Sequence, residues 1–169
     1  KFRELIKKRF NSKYAVATNS GTSSLRCALA SLNVGPGDEV ISTPYTWLAT
    51  NTAILEQGAK PIFADINYDD LNISCEDIER KITKKTKAII CVHYAGNPVE
   101  LDLLKKISKK RKIPLIEDCA HALGSEYKGT PIGGSGSICC FSFQCVKIVT
   151  CGDGGAITCN DKKTYEKLQ

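Results

Sequence analysis

The stretch Cys139-Cys140-Phe141-Ser142-Phe143-Gln144-Cys145-Val146-Lys147-Ile148-Val149-Thr150-Cys151-Gly152-Asp153-Gly154-Gly155-Ala156 begins as an apolar run, passes a serine and a lysine, and ends in a glycine-dense turn. A short apolar run bounded by turn signals reads as a strand buried on both faces. Such strands belong to sheets covered by helices on both sides. A lysine just beyond the strand stands at the edge of the core, where partial loss of water makes its amine a usable nucleophile. Upstream, Ile116-Glu117-Asp118-Cys119-Ala120-His121 places acids at the end of another such run.

Outward from this stretch, apolar runs alternate with helical periodicity, which predicts an α/β architecture. Strands are expected at 14–18, 39–42, 61–65, 88–92, 114–118, 136–142 and 156–158, and helices near 22–32, 46–57, 75–82 and 101–110. Ser74-Cys75-Glu76-Asp77 reads as an N-cap followed by acids in the first helical turn. Asn33-Val34-Gly35-Pro36-Gly37-Asp38 stops the helix before it. Strands separated by single helices favour a mostly parallel sheet with right-handed crossovers. From Gly124 to Gly155 no long helix is expected, so the sheet should gain strands of mixed direction there. Ligands of such sheets sit at the carboxyl ends of strands. Ser20-Gly21-Thr22, Tyr45-Thr46-Trp47, Asp118, His121, Ser142 and Lys147 all follow expected strands.

With 169 residues and no repeat or linker, one domain with a full core is expected over 1–169. The chain opens without methionine and stops inside an apparent helix, which reads as one domain excised from a longer protein. No apolar run approaches the roughly 20 residues that span a bilayer, so no membrane association is expected. The nine cysteines are an odd number without a Cys-x-x-Cys pair, and several lie in apolar runs, where a thiol behaves as a small hydrophobe. With only His93 and His121 to join them, no metal site is expected, and a reducing cytoplasm suits the thiols. The net charge of +6 collects in clusters such as Lys109-Lys110-Arg111-Lys112. These read as solvated helix ends; without interleaved aromatics they do not make a nucleic-acid footprint.

Each motif has two readings. Asn19-Ser20-Gly21-Thr22-Ser23-Ser24 either presents amides and hydroxyls to a phosphate at a helix N-terminus or simply caps that helix. Trp47 either stacks on a flat heterocycle or fills the core. Asp118 either holds a pyridine nitrogen protonated or serves as a cap or ion-pair partner. His121 either bonds a phenolic oxygen or fills a pocket. A lysine able to join an aldehyde, together with an acid for a pyridinium nitrogen, is the pairing that pyridoxal phosphate requires.

Taken in order, Ser20-Gly21-Thr22, Thr46-Trp47-Leu48-Ala49-Thr50, Glu117-Asp118-Cys119-Ala120-His121 and Phe141-Ser142-Phe143 followed by Lys147 resemble the DegT/DnrJ/EryC1/StrS sugar aminotransferases. These are pyridoxal-phosphate enzymes of the aspartate aminotransferase fold type, and the resemblance covers nearly the whole chain. It implies a three-layer α/β/α sandwich with a mostly parallel, mixed sheet, the cofactor-binding large domain of such an enzyme, with the C-terminal small domain outside 1–169. Lys147 would bind the cofactor covalently and later shuttle a proton, and Asp118 would pair with the ring nitrogen. Thr22, the backbone N–H of Ser23 and Ser142 would hold the phosphate, Trp47 would stack on the ring, and His121 would lie near the ring oxygen. Cys119, Cys145 and Cys151 stand beside these motifs and read as packing substitutions.

The resemblance implies conversion of a keto group on a nucleotide-linked sugar to an amine, with glutamate as donor, 2-oxoglutarate as by-product, and a homodimer. Lysine at 147, where related dehydratases carry histidine, favours transamination. Two alternatives stay open: a cyclitol or other small-ketone aminotransferase of the same fold type, and a truncated, non-catalytic sugar-nucleotide-binding or interaction module.

Overall fold

The computed structural model describes residues 1–169. In chain order the elements are α1 (Phe2–Phe10), β1 (Tyr14–Thr18), α2 (Gly21–Ser31), β2 (Glu39–Ser42), α3 (Leu48–Glu56), β3 (Lys60–Phe63), α4 (Cys75–Lys81), β4 (Thr86–Val92), α5 (Leu101–Arg111), β5 (Leu115–Asp118), β6 (Glu126–Tyr127), β7 (Thr130–Pro131), β8 (Ile138–Ser142), β9 (Gly155–Cys159) and α6 (Lys162–Leu168). Seven strands form one sheet in the order β1-β9-β8-β5-β4-β2-β3. The pairs β2–β3, β2–β4, β4–β5 and β5–β8 are parallel, whereas β9 runs antiparallel to both β8 and β1. The change of direction expected in the last third therefore falls at β9.

Period-two alternation sends neighbouring strand residues to opposite faces, and both faces are buried. Ile89 and Cys91 of β4 face a core shared with Ile6 and Phe10 of α1, Ile78 of α4 and Leu104 of α5. Ala88 and Ile90 face the other core, with Leu25 and Leu29 of α2 and Ile54 of α3. This makes three layers, α/β/α, as the strand pattern implies. Cys91, Cys139 and Cys140 are core residues, at most 1% exposed. Burial pushes the Cys91 and Cys140 thiols well above the usual range and Cys75 to about 11. All nine cysteines are free.

Local chemistry sets the element ends. Ser74 accepts from the Asp77 amide as the expected cap of α4, and Asp161 caps α6 through Thr164. The helix expected from 46 begins at Leu48 because Trp47 has extended backbone. The strand expected to reach 65 stops at Phe63, and the Asp65 amide goes to the Asp77 carboxylate at 2.7 Å. The β6–β7 hairpin falls within 124–155, the stretch expected to hold short strands and glycine turns, at residues where no particular strand is expected. Its turn places Lys128 and Gly129 at positive φ, a geometry that lysine seldom signals.

Beneath the sheet's carboxyl edge lies a polar cluster built on the fully buried His93 and Glu117. The Glu117 carboxylate accepts from His93 Nε2 at 3.2 Å and from Ser135 Oγ at 2.5 Å. His93 Nδ1 accepts the Val99 amide at 3.2 Å, so the ring proton resides on Nε2 and points at Glu117. The donor atoms of His93, Glu117 and Cys119 lie within 4.8 Å of one another, but the Cys119 thiol already donates to the Glu117 carbonyl. Burial alone would raise the Glu117 carboxyl; the His93 and Ser135 hydrogen bonds outweigh it and hold the group below its usual value. A carboxyl depressed in the fold stabilises above its unfolded pKa, about 4.3, and loses that contribution as pH falls through the folded value. Glu117→Gln should therefore lower the unfolding free energy from urea titration at neutral pH by about 1–3 kcal/mol, and the gap from parent should shrink on acidification. A pH-independent gap would contradict this assignment.

Candidate active site

The carboxyl ends of β1, β5 and β8 reach the same edge of the sheet, where β9 begins. Thr18, Gly155 and Ser142 stand in register across β1, β9 and β8. The chain then turns through Asn19 and Ser20 into α2. Ser20 Oγ accepts the Ser23 amide at 3.1 Å and caps the helix. Buried Ser24 lies 2.7 Å from Thr18 Oγ1 and 3.2 Å from the Ala156 carbonyl, fastening α2 to the sheet. The amides of Gly21 and Thr22 have no protein acceptor, so they remain available at the positive end of the helix dipole. Gly21 closes on β8: a Cβ there would lie 2.6 Å from Ser142 Cβ. Turn and serine thus form one concave, donor-rich wall.

Asp118 forms the second wall and is 5% exposed. Its Oδ1 accepts the Ala120 amide at 3.1 Å and its Oδ2 accepts Thr50 Oγ1 at 2.8 Å. Trp47, before the first turn of α3, is 74% exposed, which removes the core reading of that ring. His121 is half-buried, stacked edge-on against Tyr94 at 6.0 Å. Its Nδ1 is buried without a hydrogen-bond partner. Burial and nearby Lys147 hold the imidazole below its usual value, against the opposing pull of Asp118.

Lys147 comes from the third wall, the loop between β8 and β9. The loop is pinned at its base, where the Phe143 amide donates to Gly154 and the Phe143 carbonyl accepts from Cys151 N and Thr150 Oγ1. Within it the Lys147 amide closes a turn on the Gln144 carbonyl at 2.9 Å. Lys147 is half-buried, and its amine makes no ion pair or hydrogen bond within the chain. Val146, Ile148 and Val149 are exposed around it. Cys119 is a core residue as expected, but Cys145 and Cys151 are exposed on this loop, so packing does not account for them.

The three walls enclose a cavity of about 340 Å³, within the range of small-ligand sites. It brings together Thr22, Trp47, Asp118, Ser142 and Lys147. Ser23 and His121 are not in its lining; the Ser23 amide is engaged by Ser20, and His121 is close enough to Lys147 and Asp118 for both charges to act on it. Thr50, Ala120, Gln144 and Asp153 also line it and were not singled out from sequence. The threonines at 46 and 50 were visible as an i, i+4 pair in a quoted motif, but their reach to Asp118 depends on strand order. Free amides and hydroxyls on one wall, a held carboxylate on another and an unpaired amine on the third fit pyridoxal phosphate.

This sheet and cleft are those of the pyridoxal-phosphate-dependent aminotransferase fold. The chain belongs to the DegT/DnrJ/EryC1/StrS aminotransferase family, whose sequence model matches residues 1–169; the family depends on pyridoxal phosphate. An uncharacterized protein of Methanocaldococcus jannaschii is 47% identical over all of this chain and 44% of its own length. The aminotransferase from Psychrobacter cryohalolentis superposes with a TM-score of 0.96 at 41% identity, covering 99% of this chain and 42% of that one. The sugar aminotransferase CalS13 from Micromonospora echinospora gives 0.92 at 34%, covering 97% and 46%. The NtdA protein of Bacillus subtilis, solved with bound cofactor PMP, gives 0.91 at 32%, covering 99% and 38%. The chain thus spans less than half the length of these relatives.

Proposed function

We propose that residues 1–169 are the cofactor-binding large domain of an aminotransferase that converts a keto group of a nucleotide-linked sugar to an amine, with glutamate as donor. The observation that carries this is the unpaired Lys147 amine facing the same cavity as Asp118 and the Gly21–Thr22 amides. When bound, pyridoxal phosphate supplies the electron sink that lets an amino group leave one substrate and enter another. Lys147 anchors it covalently and, once released, holds and moves a proton at Nζ. Asp118 accepts from the ring nitrogen. Thr22 and Ser142 donate to the phosphate beside the Gly21 and Thr22 amides, an arrangement that dispenses with the Ser23 amide. Trp47 would cover the ring, and His121, outside the lining, would be the nearest imidazole to the ring oxygen.

The sugar assignment is supported by family membership and by the likeness to the solved sugar aminotransferase CalS13, and the net positive charge suits a diphosphate-bearing substrate. The exposed Trp47, Leu48, Val146 and Ile148 around the cleft suit cover by a second subunit in a homodimer. The test is the absorption spectrum of the full-length protein with pyridoxal phosphate. A visible band should form, bleach with glutamate as 2-oxoglutarate appears, and return with a nucleotide-linked keto sugar. Absence of the band overturns the cofactor assignment; a band that glutamate bleaches but no keto sugar restores overturns the substrate assignment.

A further inference from the structure

An aspartate carboxylate turns about a broad, two-fold torsion, so its orientation is decided by its partners. Asp118 has one partner on each oxygen, the Ala120 amide on Oδ1 and the Thr50 hydroxyl on Oδ2. Thr50 is fully buried, and its oxygen lies 2.8 Å from Thr46 Oγ1, on a half-buried residue one helical turn back. A hydroxyl has one proton, and a carboxylate only accepts. With the Thr50 proton directed to Asp118, Thr46 must donate to Thr50. The result is a two-hydroxyl chain that runs from the start of α3 to the acid. The same pair spans the first turn of a helix whose N-cap, Trp47, makes no side-chain cap. The chain of hydroxyls therefore ties the start of α3, beside Trp47, to Asp118.

We propose that Thr50, backed by Thr46, is a positioning residue for Asp118. It fixes the plane of the carboxylate so that its remaining lone pairs aim at the ring nitrogen of the cofactor. The proposal rests on the cofactor reading above. A group held in advance by two donors need not reorganise when the ring arrives, which favours both affinity and protonation of the ring nitrogen.

The experiment uses the full-length protein, pyridoxal phosphate labelled with nitrogen-15 in the ring, and the variants Thr50→Val, Thr50→Ser and Thr46→Val. The ring-nitrogen resonance reports its protonation, equilibrium dialysis reports affinity, and circular dichroism of the cofactor-free proteins reports folding. Thr50→Val should move the resonance toward that of an unprotonated pyridine and weaken binding about ten-fold. Thr50→Ser should restore both, and Thr46→Val should shift the resonance the same way by less. A Thr50→Val protein with the parent's resonance and affinity overturns the proposal, as does a serine variant no better than valine. Should Thr50→Val fail to fold, Thr46→Val decides, and an unmoved resonance there overturns it. If the parent itself binds no pyridoxal phosphate, the cofactor reading falls and takes this one with it. If the parent binds and Thr50→Val matches it, only the hydroxyl chain is lost.

Discussion

Lys147→Ala in the full-length protein is expected to lose the visible absorption band of covalently linked pyridoxal phosphate and to slow transamination by at least roughly 10⁴-fold. The size follows from two losses at one atom. The amine that bonds the cofactor disappears, and so does the base that would move the proton once that bond opens. No other amine lines the cavity. Asp118 is occupied at both oxygens, and His121 is outside the lining. Lys147→Arg separates charge from chemistry, because it keeps a cation in the loop but cannot make the bond; it should behave like alanine in the spectrum. Both variants should still take up the cofactor non-covalently by dialysis, since the phosphate wall is untouched. Retention of the band in either variant would place the covalent anchor elsewhere.

Gly155→Ala should give the largest loss of stability among conservative single changes at the site. A Cβ at 155 would lie 2.4 Å from the Ser20 carbonyl and 2.5 Å from Thr18 Oγ1. Thr18 ends β1 and Ser20 lies in the turn that leads into α2, and neither can retreat without disturbing the Thr18–Ser24 contact and the Ser24 bond to the Ser20 carbonyl. Overpacking of this kind costs about 1–3 kcal/mol, and for a domain of this size each kcal/mol lowers Tm by about 2–4 °C. A fall of roughly 2–12 °C is expected, with weaker phosphate binding because the displaced turn carries the free amides. Gly35→Ala is the control: nothing lies within 4 Å of its Cβ position, and its backbone is ordinary. Equal melting of the two variants would refute the close approach.

What the sequence disclosed is local. The lysine after a buried strand, the acid at the end of another and the small-residue turn before a helix each carry their signal within a few neighbours, and the structure puts all three on one cavity. What it withheld depends on which strands are neighbours. The bond from Thr50 to Asp118 spans 68 residues of sequence, and the pinch at Gly155 needs β9 inserted between β1 and β8. The His93–Glu117 pair is legible only once β4 and β5 are known to adjoin. Trp47 stood between two readings because its sequence neighbours do not report solvent exposure. The turn at Lys128 escaped because a lysine at positive φ carries no compositional mark.

The edge strand β1 has a single partner in the sheet, β9. On a ribosome, residues 14–18 leave the exit tunnel long before residues 155–159 exist. The turn that follows β1 therefore waits, unsupported, for almost the whole of this chain to be made. Cofactor capture must come late in the life of the nascent chain, and a product that ends before Gly155 holds its acid but leaves the phosphate-binding turn without its partner strand.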